Sequence, residues 1–394
     1  IVIWREIARL EASGEDPQRL AEMRKEYLYQ GIDTCAACGL CSTTCPVGIN
    51  TGDLTRSIRS RNNENQTKLA QWIAEHYGTL MNVSKVAFKG ANLAHGLLGT
   101  KAMTALCDTT RKISGGRVQQ WTPSMPKAAP KINTQRAVSN PDAPKVVYLP
   151  SCASRAMGPA RGDADQTSLA DKTEGLLRKA GFEVIYPDKL DDLCCGMPFQ
   201  SKGMFEAADY KARETMQMLL QATNNGEYPV FSDTSPCSLR LKDNADQRIK
   251  LFDTVEFIHE FLLERLIFTP LDEPIALHIT CSTTRMGIAE KLKTIVAKCA
   301  TQVVIPDQIT CCGFAGDKGF STPELNASAL RTLKPAVEGC SSGYSTSRTC
   351  EIGLSHHSGI DYKSIVYLVD RVTQPKLSNQ ATTEENQRIQ THEA

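Results

Sequence analysis

The second half of the chain carries one pattern of residues twice, and this internal repeat constrains the fold more than any other feature. Four segments of the first copy recur in the second copy in the same order. The matched segments are 148–158 with 277–287, 184–204 with 303–320, 231–242 with 344–355, and 252–262 with 360–370. Chance does not readily produce four matches in register, so the sequence predicts two copies of one domain.

Each copy alternates short apolar runs with helical stretches. KVVYLPS, at 145–151, and PIALHIT, at 274–280, are short β-rich runs, whereas residues 204–223 have helical periodicity. Strands that alternate with helices predict a parallel sheet covered by helices on both faces. We therefore expect two repeated α/β domains with parallel sheets, at residues 146–270 and 271–372.

Both copies place four cysteines directly after predicted strands. They are Cys152, Cys194, Cys195 and Cys237 in the first copy, and Cys281, Cys311, Cys312 and Cys350 in the second. Loops at the carboxyl ends of parallel strands converge, so thiols distant in sequence can meet there. Four thiolates are the number that a 4Fe–4S cluster needs, and we predict a second and a third metal site. Structural cysteines that share a pocket and a redox-active disulfide are the alternatives.

A glycine follows the adjacent cysteines in each copy. A disulfide between neighbouring residues is strained, so a metal explains the pair better. Gly196 and Gly313 remove a side chain where we expect the loop to pass close to another group.

A separate run of cysteines lies near the start of the chain. Cys35, Cys38, Cys41 and Cys45 follow the pattern C-x2-C-x2-C-x3-C, with a proline directly after the last. This spacing is typical of 4Fe–4S proteins, whereas zinc sites favour two C-x2-C pairs separated by a longer loop. Cys45 closes this cluster or is exchanged with a second run upstream. Cys107 is a further candidate ligand, with a small buried apolar residue as the alternative.

The remaining regions complete the predicted organisation. Residues 1–111 have helical patterns and form a predicted helical ferredoxin-like domain. Residues 112–145 are rich in Gly, Pro, Ser and Asn and are predicted to be a linker, and residues 373–394 a disordered tail. The first residues form an apolar helical stripe without an initiator Met, so we expect a piece of a longer polypeptide.

Composition excludes several classes of function. Lys and Arg total 45 against 44 Asp and Glu, a formal net charge of +1, which does not favour a nucleic-acid partner. An odd number of cysteines, 15, without a secretory signal argues against a disulfide scaffold and for metal binding in the cytoplasm. No apolar run reaches the roughly 20 residues needed to span a bilayer. We expect at most a peripheral association with the inner membrane.

The two copies resemble the cysteine-rich CCG domains of heterodisulfide reductases and of the glycolate oxidase iron–sulfur subunit. More closely, CAACGLCSTTCPVGINTGDLTR, at 35–56, and GYSTSRTCEIGLSHHSGIDYKSIVYLVDR, at 343–371, resemble the carboxyl-terminal part of bacterial FAD-linked D-lactate or D-2-hydroxyacid dehydrogenases. The resemblance extends from about residue 5 to about residue 372.

This resemblance implies an oxidoreductase role. FAD, in a domain or subunit outside this chain, would oxidise a hydroxy acid and pass electrons to one, two or three 4Fe–4S clusters in the chain. A quinone, a cytochrome or a flavoprotein would then accept them. The alternative functions are a heterodisulfide-reductase-like enzyme that reduces a disulfide and a structural protein.

The chain departs from the reductase pattern at one point. That pattern ends each copy with C-x2-C, whose cysteines help to hold an unusual five-thiolate cluster. Thr234 and Ser347 stand where its first cysteine would be. The sequence therefore argues against such a five-thiolate site in either copy.

Weaker candidates flank the cysteines. His356 and His357 could carry protons or bind a carboxylate, or simply cap the next helix. Arg155 and Arg285 could offset thiolate charge, or lie on the surface. The segment 313–320 lacks the spacing of a dinucleotide-binding loop. We expect Cys299 in the core, and Cys340 has no assignment.

Overall fold

Helices form the first part of the protein. A computed structural model describes residues 1–116, 118–134 and 142–376. The helices of the first part are α1 (Val2–Ser13), α2 (Pro17–Tyr27), α3 (Leu40–Thr44), α4 (Thr51–Asn62), α5 (Thr67–Glu75) and α6 (Tyr77–Ile113). Asn50 caps α4 by accepting a hydrogen bond from the Gly52 amide, so the chain turns into a helix soon after the cysteine run. Helix α6 is interrupted at Gly99, where φ is 76°.

The first repeat is built on a four-stranded parallel sheet. Its elements are β1 (Pro126–Ala128), β2 (Lys145–Leu149), α7 (Cys152–Ala156), β3 (Met157–Ala160), α8 (Leu169–Lys179), β4 (Glu183–Ile185), α9 (Met197–Gln200), α10 (Phe205–Ala222), β5 (Val230–Ser232), α11 (Ser235–Lys242), β6 (Leu251–Asp253), α12 (Thr254–Phe257) and β7 (Leu266–Phe268). The sheet order is β4-β2-β5-β6, and all neighbours are parallel. Val146, Val147 and Tyr148 on central strand β2 are fully buried, as expected for a sheet covered on both faces.

The second repeat has the same topology. Its elements are β8 (Ile275–Leu277), α13 (Cys281–Arg285), α14 (Ala289–Cys299), β9 (Val303–Val304), α15 (Lys318–Ser321), α16 (Pro323–Ala329), α17 (Leu333–Ala336), β10 (Ser342–Ser345), α18 (Arg348–Ser358), β11 (Tyr362–Ser364), α19 (Ile365–Arg371) and β12 (Thr373–Pro375). Its sheet order is β11-β10-β8-β9, again all parallel. Matching β2 with β8 and β5 with β10 superposes the two orders, which confirms the predicted α/β architecture with parallel sheets.

One apolar core joins the two repeats. Phe231 and Phe257 of the first repeat share a buried cluster with Leu277 and Ile365 of the second. Helix α8 packs on α19, and β7 pairs antiparallel with β12. Burying one such side chain contributes about 1.5–3 kcal/mol. The repeats are therefore held against each other by continuous apolar packing.

Two regions that the sequence predicts to be a linker and a tail contain regular structure. Strand β1 lies in the predicted linker, 112–145, and strand β12 lies at the start of the predicted tail, 373–394. Within the predicted linker, β1 pairs with β3, and Trp121 and Met125 are buried. Residues 117 and 135–141 of that segment lie outside the described residues, as do residues 377–394 of the predicted tail. Among the helices of the described ranges, none has the length and apolarity to cross a membrane.

Candidate functional site

The four cysteines of the first repeat lie together at one edge of the sheet. We call Cys152, Cys194, Cys195 and Cys237 the first cysteine group; all four line one small cavity at the sheet edge. Cys152 begins α7 after β2, Cys194 follows β4, and Cys237 lies on α11 after β5. The carboxyl ends of neighbouring strands thus bring the thiols together, as the sequence predicts.

The cysteines of the second repeat also lie together. We call Cys281, Cys311, Cys312 and Cys350 the second cysteine group. The Sγ atoms of Cys312 and Cys350 are 3.0 Å apart, and the neighbouring Cys311 thiol raises the pKa of Cys281. The bond with Cys350 lowers the pKa of the Cys312 thiol and raises that of Cys350.

Each group contains a glycine that no larger residue can replace without strain. Gly196 and Gly313 have φ values of 84° and 69°. A Cβ on Gly196 would overlap the carbonyl oxygen of Ala208 on α10, and one on Gly313 would lie 2.8 Å from that of Leu325 on α16. Both cysteine loops therefore pass directly against a helix, and only glycine fits there.

Backbone amides point at the sulfur atoms. The Gly196 amide donates to Cys194 Sγ at 3.4 Å, and the Gly313 amide donates to Cys311 Sγ at the same distance. The Phe314 amide donates to Cys312 Sγ at 3.5 Å. Such donors favour thiolates and tune metal–thiolate centres. The donor set of both groups therefore suits a metal cluster.

Polar side chains from neighbouring helices fix the cysteine loops. Thr215 Oγ1 accepts from the Cys194 amide at 3.1 Å and donates to the Cys194 carbonyl at 2.9 Å. Asn326 Nδ2 donates to the Cys312 carbonyl at 2.6 Å. These two residues lie on α10 and α16, the helices that the glycines contact.

Arg155 is buried rather than on the surface. Its guanidinium donates to the carbonyls of Leu190 and Leu193, in the loop that leads to Cys194. Its charge also opposes the rise in the pKa of Cys152 that the hydrogen bond with Cys194 and burial cause. Arg155 therefore both holds the loop and offsets thiolate charge, as one of the two sequence hypotheses has it.

Burial keeps the first group neutral in the absence of a cation. The hydrogen bond with Cys152 lowers the pKa of Cys194, but the bond with Cys195 and burial raise it to about 12. The pKa of Cys195 also rises, because its bond with Cys237 and burial outweigh its bond with Cys194. Thiolates at this site therefore need a bound metal to supply positive charge.

The helical part of the chain reaches both groups. Cys38, of the cysteine run, lies next to the second group, and the proximity of Cys281 and Cys311 lowers the pKa of the Cys38 thiol. Tyr77, at the start of α6, packs against Cys152 and Cys194 of the first group. Nothing in the sequence predicts either contact, because both depend on how the helical part packs on the repeats.

The other three cysteines of the run have local partners. Cys41 Sγ accepts from the Thr51 amide at 3.2 Å and from Thr51 Oγ1 at 3.0 Å. Burial raises the pKa of Cys41, but the bonds from Thr51 and Gly52 lower it overall. Cys35 Sγ accepts from the Ala37 amide at 3.4 Å, and the Cys45 amide donates to the Cys41 carbonyl.

The remaining candidates lie around the second group. His356 and His357 end α18 and line a cavity of about 310 Å³ beside Phe314. Burial lowers the pKa of both imidazoles. Arg285 Nη1 donates to the Cys38 carbonyl at 3.5 Å.

The other cysteines pack as apolar residues. Cys299 is fully buried in the core, as predicted, and Cys340 is buried. Cys107 packs at the edge of the same apolar cluster as Cys340. All 15 cysteines are free thiols.

The arrangement differs from that of a site for one metal ion. Across the described ranges, no three His, Cys, Asp or Glu side chains are placed to hold a single ion. A four-iron cluster spans several atoms, so its ligands need not converge on one point. The residues present fit a cluster by their chemistry, with four thiols in each group and amides directed at sulfur.

Comparison with known proteins identifies the domain that both repeats match. The model of the cysteine-rich domain family CCG matches residues 146–242 and 275–352. Two segments of the chain, one in each repeat, therefore match the cysteine-rich CCG domain, in agreement with the internal repeat of the sequence.

The chain is also similar in sequence to several known proteins. It is 25% identical over 328 residues to the glycolate oxidase iron-sulfur subunit of Escherichia coli, covering 77% of this chain and 72% of the relative. It is 22% identical over 358 residues to one subunit of the dihydromethanophenazine:CoB–CoM heterodisulfide reductase of Methanosarcina acetivorans, covering 86% and 76%. It is also 26% identical over 176 residues to lactate utilization protein A of Oceanobacillus iheyensis, covering 40% and 69%.

Proposed function

We propose that the chain is the iron–sulfur electron-transfer part of an FAD-dependent D-2-hydroxyacid dehydrogenase of the D-lactate or glycolate type. FAD is held by a separate domain or subunit, which oxidises the acid. Electrons then pass through this chain to a quinone, a cytochrome or a flavoprotein. The observation that carries the proposal is the convergence of four thiols in each repeat, with the cysteine run adjoining the second group through Cys38.

The residues that would hold clusters follow from this arrangement. The run holds one 4Fe–4S cluster, and the two cysteine groups hold the second and third. Bound clusters supply one-electron steps, which divide the two-electron oxidation of a hydroxy acid. The protein contributes the amides of Gly196 and Gly313, the charge of Arg155 and a buried setting, all of which tune redox potential.

The relatives support the assignment by name. The names of two relatives, the glycolate oxidase iron-sulfur subunit and lactate utilization protein A, each refer to a short hydroxy acid. The glycolate oxidase relative is itself an iron–sulfur subunit. This chain would accordingly work with a flavoprotein partner rather than alone.

A second candidate is reduction of a disulfide substrate. The similarity to a heterodisulfide reductase subunit covers 86% of the chain, which favours it. Thr234 and Ser347 argue against it, because they precede α11 and α18 as helix caps and supply no thiol. Turnover of a small disulfide by the dithionite-reduced chain, without a flavoprotein, would favour this second candidate.

Metal analysis tests the first proposal. Iron and acid-labile sulfide are measured on anaerobically purified protein, with low-temperature EPR after reduction. We expect Cys195→Ala and Cys312→Ala each to lose about four irons per chain. Cys299→Ala is the matched control, since Cys299 is equally buried but lies outside both groups. Protein without iron, or equal iron in all three variants, would contradict the proposal.

A second measurement addresses the electron path. The oxidised chain is mixed with photoreduced free flavin, and cluster reduction is followed by EPR. The proposal requires reduction by the flavin and none by D-lactate or glycolate alone. Direct reduction by either acid would place the acid chemistry in this chain and refute the division of labour.

A further inference from the structure

A cavity of about 310 Å³ lies beside the second cysteine group. Phe314 and Asn326 form part of its wall. The Phe314 amide donates to Cys312 Sγ at 3.5 Å, and Asn326 Nδ2 donates to the Cys312 carbonyl at 2.6 Å. Ile352, two residues after Cys350 on α18, lines the same cavity. The cavity is therefore separated from the thiols only by residues that contact both.

Two glycines shape the wall on the side of the cysteines. An added Cβ on Gly319 would lie 2.3 Å from the Phe314 ring, and one on Gly353 would lie 2.7 Å from it. Neither glycine has a positive φ, so the space taken by the ring, rather than the backbone conformation, requires glycine there. The Phe320 ring meets the Phe314 ring edge to face, with centroids 4.8 Å apart. The glycines thus make room for an aromatic wall on which a flat ring can stack.

Another part of the wall comes from the segment that the sequence predicts to be a linker. Thr122 and Met125 of this segment line the cavity. Arg111, near the end of α6, fixes this wall by donating to the carbonyls of Val118 and Ser321, both at 2.8 Å. Within the described ranges, Thr122 Oγ1 is buried and has no hydrogen-bond partner. Because an unpaired buried hydroxyl is costly, Thr122 marks a position where the polar atom of a ligand is expected.

The charges around the cavity select against an anion. Glu324 is the only Asp, Glu, Lys or Arg among the described residues that line it, and Tyr29 Oη donates to Glu324 Oε1 at 2.6 Å. Burial lowers the pKa of His356 and His357, so both imidazoles are neutral near pH 7. A carboxylate or a phosphate would therefore meet no cation in this wall. The cavity suits an uncharged ligand instead.

We propose that this cavity binds the ring of a quinone, which accepts electrons from the second cysteine group. This acceptor site rests on the proposed electron-transfer function. The quinone ring stacks on Phe314, and its two carbonyl oxygens accept hydrogen bonds from Thr122 Oγ1 and from an imidazole of His356 or His357. A volume of about 310 Å³ is at the small end of the range for ligand sites, roughly 300–1,000 Å³, and suits one or two rings rather than a haem or FAD.

The reaction balances with what the proposed function supplies. The hydroxy acid gives up two electrons at the flavin, and these leave the clusters one at a time and enter the quinone ring. Two protons from solvent bind to the two carbonyl oxygens, and the product is a quinol. His356 lines the cavity and is itself exposed to solvent, which gives these protons a route.

The first test measures binding and needs no cluster. The full chain is titrated with duroquinone, whose free ring positions all carry methyl groups, so that thiols do not add to it. Ala327 of α16 lines the cavity, whereas its neighbour Ser328 does not, and both are exposed. We expect Ala327→Phe to fill the cavity and weaken binding about tenfold or more, and Ser328→Phe to bind like the unchanged chain. Thr122→Val should weaken binding about two- to tenfold through the loss of one hydrogen bond.

The binding test is decisive whether or not the protein holds iron. Absence of saturable binding would overturn the quinone site, as would equal affinities of Ala327→Phe and Ser328→Phe. Either result would leave the electron-transfer function standing, with a cytochrome or a flavoprotein as the acceptor. Because both substituted positions are exposed, the two variants should also unfold at the same temperature as the unchanged chain.

The second test asks whether the bound quinone takes the electrons. The iron-loaded chain is reduced and then mixed anaerobically with duroquinone or with ferricyanide, and reoxidation of the clusters is followed by EPR. Ferricyanide is an anion that reacts at the protein surface, so its rate is the reference. The ratio of the duroquinone rate to the ferricyanide rate should fall about tenfold in Ala327→Phe and stay unchanged in Ser328→Phe.

The outcomes separate the acceptor site from the proposed function. Equal ratios in the two variants, or duroquinone that binds without being reduced, would refute the acceptor site alone. A chain without iron would instead contradict the proposed function, and the titration with duroquinone would still decide whether the cavity binds a quinone.

Discussion

Replacing Gly196 by alanine tests the close approach between the first cysteine loop and α10. Gly181 provides a matched control, because its φ of 85° is close to the 84° of Gly196 while no atom lies within 4 Å of an added Cβ. Alanine at Gly181 therefore costs only the strain of a left-handed backbone, roughly 1–2 kcal/mol. Alanine at Gly196 has the same cost and must also displace the carbonyl of Ala208, which adds roughly 1–3 kcal/mol.

Calorimetry on metal-free protein measures the difference. A change of 1 kcal/mol shifts Tm by about 2–4 °C in a domain of 150–250 residues. We therefore expect Gly196→Ala to melt roughly 2–12 °C below Gly181→Ala. Equal Tm values would show that the loop can move away from α10 at no cost. The inferred rigidity of the first group would then be wrong.

Three further predictions concern single residues. Thr215→Val leaves the amide and carbonyl of Cys194 unpaired and should lower the free energy of unfolding by about 2–5 kcal/mol, whereas Thr215→Ser should restore most of it; urea unfolding compares them. Lys202→Met removes an exposed ion pair with Asp317 and should cost less than about 1 kcal/mol; a larger loss would mean that this pair is more than a surface contact. Burial raises the pKa of Asp253 to about 6, so its folded form keeps a proton that the unfolded chain releases above about pH 4. The stability of metal-free protein should therefore fall as pH rises from about 4 to about 6, by up to about 1.4 kcal/mol per unit, and Asp253→Asn should remove this part of the slope.

The repeat in the sequence was sufficient to predict both sheets and both cysteine groups. Strands of period two and helices of period 3.6 are local patterns, and the carboxyl-edge rule then places Cys152 beside Cys194 without any knowledge of packing. The two loop glycines were also predictable, because a glycine directly after adjacent cysteines implies a close approach. The structure adds the identity of the contacting helices, α10 and α16.

One alignment was shifted along the chain. The sequence match pairs Asp253 with Asp361, but the structure places Asp253 and Ser364 in the same role. Each ends the last strand of its sheet and caps the following helix by accepting a backbone hydrogen bond. Asp and Ser are interchangeable as helix caps, so the sequence carries no signal that distinguishes the true register.

The contacts of Cys38 and Tyr77 lay beyond sequence reasoning for a different reason. Both arise where the helical part packs on the repeats, and nothing local to either residue marks its partner. Cys38 has the spacing of a ligand within its own run, and Tyr77 reads as an ordinary aromatic residue at the start of a helix. Only the docked arrangement shows that each approaches a cysteine group.

This asymmetry bears on how a duplicated domain can serve electron transfer. Duplication alone yields two groups with the same thiols, the same loop glycine and the same strand edge, and hence similar redox potentials. A path that carries electrons in one direction needs sites that differ. The helical part lies outside the repeat, and it places the Cys38 thiol beside the second group and the Tyr77 phenol beside the first. The difference between the groups therefore originates outside the repeat, in the single segment that also carries the cysteine run.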